Sequence, residues 1–457
     1  MLISRRELLR SQTAGFGLLA LSALATRSAQ SAEAADAGAL RPRDTHFPAK
    51  AKRVIFLCMR GGPSHMETFD YKPQLNADHG KPSRTKGQKF FGSQWAFRQH
   101  GESGLPISDL YPHTARLADE LCVLNGMHCD SPEHAAALTQ LHTGSIQFHR
   151  PSLGSWVLYG LGSECDNLPG FISIKPPAIL GGERNYNSAF LPPVYQGSAI
   201  GTMSQPVSKA QIENLRRDDL PPGEQRRQLD LIQSLNRQAL AARVEEEQFE
   251  GVIESYELAF RMQSALPDAM SFADETEQTL EMYGVGDKKK TDDFGRQCLL
   301  ARRFIEAGVR FVELTHDNWD HHGGVARLMP ARCEQTDQPI AALLTDLRQR
   351  GLLEDTLVIW GGEFGRTPDD PRGDGRGHNN KGFTMWLAGG GVRGGTAYGA
   401  TDEYGYEAVT DRMHIHDLHA TLLHLLGLDH KRLTYRYAGR NFRLTDVHGQ
   451  VALPVIA

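Results

Sequence analysis

The chain of 457 residues holds six cysteines, and no two of them are spaced as C-x-x-C. That absence argues against a paired-cysteine zinc site and against a thioredoxin-type redox motif. Cys58 and Cys122 lie in apolar runs and read as core residues. A net charge of −5 with a pI near 6.4 leaves no broad basic face for nucleic acid. No apolar run reaches membrane-spanning length: the longest near the start, Ala14–Ala25, is too short to cross a hydrocarbon core of roughly 30 Å as a helix. Internal repeats are also missing. What remains is an ordinary globular composition, 40% hydrophobic and 23% charged, with 46 glycines clustered beside polar residues as in loops that approach a ligand.

The first residues read as an address rather than as structure. Ser4-Arg5-Arg6 opens a twin-arginine pattern, the apolar stretch follows, and Ala32-Glu33-Ala34 suits a cleavage site. The expectation is a signal peptide over 1–34, export in the folded state, and a periplasmic or extracellular mature protein. Residues 35–52 read as a flexible lead-in, and 53–457 as a single α/β domain.

Strands and helices then alternate. Arg53–Met59 is a short apolar run entering Gly61-Gly62-Pro63, the pattern of a buried strand and a tight turn. Ser64, His65, Glu67 and Asp70 follow directly. Leu121–Leu124, Val309–Leu314, Asp355–Trp360 and Phe383–Ala388 read as further strands. Helical spacing marks Asp109–Glu120, Ala135–Thr143, Asp292–Ala307, Gln338–Gln349 and His416–Leu426. The first of the site-bearing helices has Ser131 as its expected N-cap and Pro132 at its first turn. The stretch 221–265 reads as an inserted helical segment without chemistry of its own, suited to a partner protein. Such alternation predicts a largely parallel sheet flanked by helices.

Chemistry concentrates after one strand. Thr315-His316-Asp317-Asn318-Trp319-Asp320-His321-His322 packs two acids and three imidazoles into a single loop, a donor set that Zn, Mn or Fe accept more readily than Ca or Mg. A solvated polar turn is the plainer account. Glu363 and Arg366 follow another strand, and His378 a Gly-rich loop. Arg366 suits an anion or a neighbouring acid equally. Ser131 and His134 stand at a helix start, where the helix dipole favours an anion. His416 and His419, one turn apart on a helix, suit packing better than ligation.

Several pieces carry a family likeness: Gly61-Gly62-Pro63-Ser64-His65, Phe69–Pro73, His134 through Thr143-Gly144, Gly362–Pro368, Gly377-His378-Asn379 and Asp417–Thr421. Together, from about residue 53 to the end, they resemble the exported sulfatase-like proteins of domain-of-unknown-function family 1501, within the alkaline phosphatase superfamily. The resemblance implies an alkaline phosphatase/sulfatase-like fold and a divalent metal ion. It implies hydrolysis of an anionic ester, such as a sulfated or phosphorylated carbohydrate. It implies Asp317, His321, His378 and Glu363 as metal ligands, with Asp320 or His322 as substitutes in the register. Ser131, His134 and Arg366 become the catalytic candidates. Two departures leave an alternative, a catalytically inactive binding or assembly protein on the same fold. The first strand ends in Arg60-Gly61-Gly62 where the superfamily has a metal-binding Asp, a role Glu67 or Asp70 would have to fill. The sulfatase arginine is absent, and Pro132 lies about one helical turn too far before Thr143.

Overall fold

The computed structural model describes residues 38–210, 221–241 and 247–457. The expected signal peptide lies outside them. The body is built on one nine-stranded sheet. Its strands are β1 (Arg53–Met59), β2 (Leu121–His128), β3 (Phe171–Ile174), β4 (Ser198–Ile200), β5 (Phe311–His316), β6 (Thr356–Gly361), β7 (Phe383–Ala388), β8 (Thr396–Tyr398) and β9 (Met413–His414). The order is β8-β2-β7-β6-β1-β5-β3-β4, with β9 also pairing β2 beyond the stretch used by β8. β7 runs antiparallel to both of its neighbours, and every other pairing is parallel. The architecture is therefore α/β with a mostly parallel sheet, as the alternation predicts.

β1 shows why the sequence takes this form. A central parallel strand is covered on both faces, so it reads as a continuous apolar run. Ile55, Leu57 and Met59 enter one core together with Val312, Leu314 and Trp360. Val54, Phe56 and Cys58 enter the other with Phe311, Ile359 and Met385. Among the described residues the helices of nine or more residues are α1 (His134–Thr143), α2 (Leu153–Leu161), α3 (Pro222–Ala241), α4 (Glu247–Met270), α5 (Asp292–Glu306), α6 (Val325–Gln349) and α7 (Ile415–Leu425). Helices α5 and α6 cover the first core, while α1, α2 and α7 cover the second.

Several expectations need correction. α1 begins at His134 with Glu133 at its N-cap, because the Ser131 hydroxyl accepts from the Glu133 N–H at 3.1 Å and closes a local turn instead of capping. The stretch Asp109–Glu120 yields only a kinked 3₁₀ turn over Thr114–Glu120. The inserted segment comprises two helices, α3 and α4, clasped by Arg226–Glu257 and by Gln233 Nε2 on the Ile253 carbonyl at 2.7 Å. Residues 38–52 are not a loose lead-in: Arg43, His46 and Lys50 donate backbone N–H groups to Leu161, Gly427 and Leu425, and Ala51 is fully buried. These bonds satisfy carbonyls that α2 and α7 leave open at their C-terminal ends. Among the described residues no helix is long and apolar enough to cross a membrane.

Candidate metal centre

The carboxyl ends of β1, β5, β6 and β2 share one edge of the sheet, the edge where open α/β sheets collect ligands. Because β7 runs the other way, the loop that precedes it reaches the same edge and brings His378. Four side chains meet there. Asp320 is the hub: its Oδ1 stands 3.3 Å from His378 Nε2 and 3.0 Å from His322 Nε2, and its Oδ2 stands 3.3 Å from His134 Nε2. Ligand atoms of His134, Asp320 and His378 all lie within 4.8 Å of one another.

Three contacts orient these groups. His134 Nδ1 faces Glu363 Oε1 at 2.5 Å, and the same carboxylate accepts the Gly61 N–H at 3.0 and 3.2 Å. His378 donates from Nδ1 to the Pro132 carbonyl at 2.7 Å, which leaves its Nε2 a lone pair. Arg366 holds Asp320 Oδ1 at 2.5 Å and fastens to the carbonyls of Gly61 and Gly62. Gly61 sits at φ 112°, and a Cβ there would stand 2.7 Å from the Asp320 nitrogen, so only glycine permits this approach.

The electrostatics follow. Burial opposes an imidazolium at His134, yet the neighbouring carboxylates of Asp320 and Glu363 push it up to about 9. Burial would raise Asp320, but His134, His378 and Arg366 together hold it far below the usual carboxylate range. Burial lowers His322.

A divalent cation fits this donor set. His134 Nε2 is buried and makes no hydrogen bond despite its nearness to Asp320. His378 Nε2 and His322 Nε2 face each other at 2.9 Å, a spacing that needs a proton or a cation between two imidazole nitrogens. Three imidazoles and one carboxylate are ligands of the Zn, Mn or Fe kind. Glu363, which accepts from Gly61 and stands behind His134, has the place of a carboxylate that fixes a metal-binding imidazole.

The expected Asp-x-x-x-His pair does not converge. Asp317 is held by Arg60, beside a separate cavity of about 200 Å³ that Lys175 and Arg332 also line. His321 is buried, its Nε2 lacks a partner, and desolvation followed by the Arg366 charge pushes it down to about 4. The reason is local: Asn318 adopts φ 69°, a left-handed turn that reverses the loop and presents Asp320 and His322 in place of Asp317 and His321. Glu363 is likewise not a ligand in this arrangement, since its oxygens are occupied by Gly61 and His134. Arg366 is 1% exposed and grips Asp320, so it is not free for an anion. Ser131 is buried and engaged in its turn. Neither Glu67 nor Asp70 fills the missing strand-one acid, because Glu67 pairs with buried Arg376 and Asp70 with Lys72. The sequence suggests a catalytic rather than a ligand role for His134; its tie to Glu363, 229 positions away, leaves no local signal.

A family model described as protein of unknown function (DUF1501) matches residues 51–456. The chain belongs to this family. No curated protein matches it. Among solved structures, this DUF1501 protein overlaps the PsFucS1 sulfatase from Pseudoalteromonas sp. at 13% identity, covering 83% of this chain and 68% of that one with a TM-score of 0.35. It overlaps the lipoteichoic acid synthase LtaP from Listeria monocytogenes at 10% identity over 91% and 80% of the two chains, TM-score 0.37. The phosphonate monoester hydrolase SpPMH from Silicibacter pomeroyi overlaps at 11% identity over 83% and 73%, TM-score 0.35. These overlaps are loose, and the functional reading rests on the residues.

Proposed function

We propose that this DUF1501 protein is an exported metal-dependent hydrolase of phosphate or sulfate esters. The observation that carries the reading is the convergence of His134, Asp320, His378 and His322 beside a cleft of about 600 Å³. His322 and His378 form part of that cleft's lining, whose wall sets Arg372 and Lys381 among the carboxylates of Asp369, Asp370 and Glu407. A divalent cation held by the three imidazoles and Asp320 would polarise an ester oxygen and bring the pKa of an attacking water toward about 7.

The chain's own groups do the rest. Arg366 and Glu363 keep Asp320 and His134 in place, so neither has to reorganise during turnover. Arg372 and Lys381 bind the non-bridging oxygens of the anionic substrate, for which a sulfated or phosphorylated carbohydrate has a suitable size and charge. Export runs through the twin-arginine signal of residues 1–34, and the mature protein works in the periplasm or outside the cell. N-terminal sequencing of the exported form should begin near residue 35.

The test is elemental analysis of protein purified without chelator, together with hydrolysis of aryl phosphates and sulfates across added Zn, Mn and Fe. Asp320→Ala should lose the dialysable metal and reduce turnover by more than about 100-fold, beyond the effect of an outer-shell change. Absence of bound transition metal, with no turnover in any metal, defeats the reading. A binding or assembly role is favoured by one observation: the Arg60 guanidinium, paired with Asp317, stands where the superfamily places a metal-binding acid. Under that role His378→Ala would abolish a partner interaction and leave no catalytic defect to measure.

A further inference from the structure

A second cluster lies on the side of the sheet covered by α1, within the core. Cys58 on β1, Glu313 on β5 and His142 on α1 bring their ligand atoms within 4.8 Å of one another. His142 Nε2 stands 3.1 Å from Glu313 Oε1, while its Nδ1 faces the Leu138 carbonyl at 2.7 Å. None of the three is more than 3% exposed. We propose that Cys58, His142 and Glu313 form a structural site for a thiophilic divalent cation of the zinc class. This inference is independent of the proposed function.

Three observations carry it. The first is the donor chemistry: one thiol, one imidazole and one carboxylate are the mixed set that zinc accepts at about 2.0–2.3 Å. The Nδ1 contact to the Leu138 carbonyl fixes the ring and aims Nε2 at Glu313, so that loss of the Nε2 proton would present a lone pair to a cation, as in metal-binding histidines. The second is a pair of buried hydroxyls without hydrogen-bond partners. Ser173 stands in register with Glu313, and Thr315 in register with Cys58, so strand pleating sets all four on one face of the sheet. Buried hydroxyls ordinarily find partners, and two orphans flanking a buried carboxylate mark a site built for a further ligand.

The third is charge balance. Burial, and then the Glu313 charge, push the Cys58 thiol well up, so without a cation it keeps its proton. Burial opposes the His142 imidazolium, but Glu313 nevertheless draws it up. Binding of a divalent ion would displace the thiol proton and the imidazolium proton. Thiolate, carboxylate and neutral imidazole then leave the buried site with no net charge, and two protons pass to solvent.

The decisive protein is the full chain carrying Asp320→Ala and His378→Ala, which empties the open centre. After dialysis against chelator it should retain about one equivalent of zinc, and cells grown on Co(II) should yield a thiolate-to-cobalt charge-transfer band. Cys58→Ser on that background should remove the band and lower the retained metal. No retained metal, or a thiolate band that survives Cys58→Ser, overturns the inference. If Cys58→Ser does not fold, X-ray absorption on the zinc-loaded double variant reads one sulfur ligand, and a spectrum without sulfur overturns it equally. The proposed function stands or falls separately, on the dialysable metal and on turnover.

Discussion

Among the described residues, the two clusters with metal-ligating geometry differ in one physical respect, access to water. The His134–Asp320–His378 centre grades from the fully buried Glu363 side chain to the half-exposed His322 at the rim. The Cys58–His142–Glu313 cluster is closed within the core. Charges at the open centre are screened and exchangeable, so their contacts hold geometry more than they hold the fold. Charges in the closed cluster have no solvent to fall back on, so each group depends on its partner. The open centre suits turnover, and the closed one suits permanence.

Breaking the closed cluster should have the largest effect. His142→Leu leaves Glu313 buried and unpaired, and urea unfolding should register a loss of about 3–5 kcal/mol. By contrast His322→Ala at the rim should change stability by less than about 1 kcal/mol. Equal losses would erase the distinction.

Next in size is the orienting contact. Glu363→Gln keeps the shape but weakens the hold on His134, and should reduce metal affinity or turnover about 10- to 100-fold, read by competition with a chelating dye and by steady-state kinetics.

The pH response sharpens the comparison further. His419 is fully buried, donates to the Leu141 carbonyl at 2.8 Å, and is pushed down to about 3, chiefly by desolvation. The unfolded chain binds a proton there below pH about 6.5 while the folded chain does not, so this group's stabilisation is complete above 6.5. As pH falls from 6.5 toward 3, about 1.4 kcal/mol should be lost for each unit, and His419→Gln should flatten the slope. His142 has the opposite sign: its pKa is raised, so its contribution is present below about 6.5 and is lost as pH rises. The smallest effect belongs to the cleft wall, where Arg372→Ala should raise KM a few-fold, by about 1 kcal/mol or less, with kcat unchanged.

How far the sequence could be read follows from the same physics. β1 and β7 match expectation residue for residue, because a strand buried on both faces leaves a nearly continuous apolar run. β3 and β4 escape notice: Phe171–Ile174 and Ser198–Ile200 are short, and each carries a serine. The loop Thr315–His322 was legible as a metal loop by composition but not by geometry. Spacing identifies faces only where the backbone repeats, and the left-handed Asn318 breaks that repeat. The Glu363–His134 contact and the Cys58–His142–Glu313 cluster join distant segments, and composition alone does not pair them.

The reversed strand β7 has a consequence for the order of assembly. β6 and β7 pair as neighbours along the chain, whereas β1 must find partners that begin at Phe311 and Thr356. Closing the shorter loop costs less entropy, so the Glu363 and His378 half of the centre should form before His134 and Asp320 are drawn in. The stacked indoles of Trp360 and Trp386, 6.0 Å apart at 2°, lie on this pair of strands and offer an optical reporter of its closure. In refolding followed by pulsed hydrogen exchange, amides of β6 and β7 should gain protection before those of β1. The centre would thus be completed last by the segments that carry its hub, and a refolding chain would hold one donor, His378, and the carboxylate that orients another before it could hold a metal.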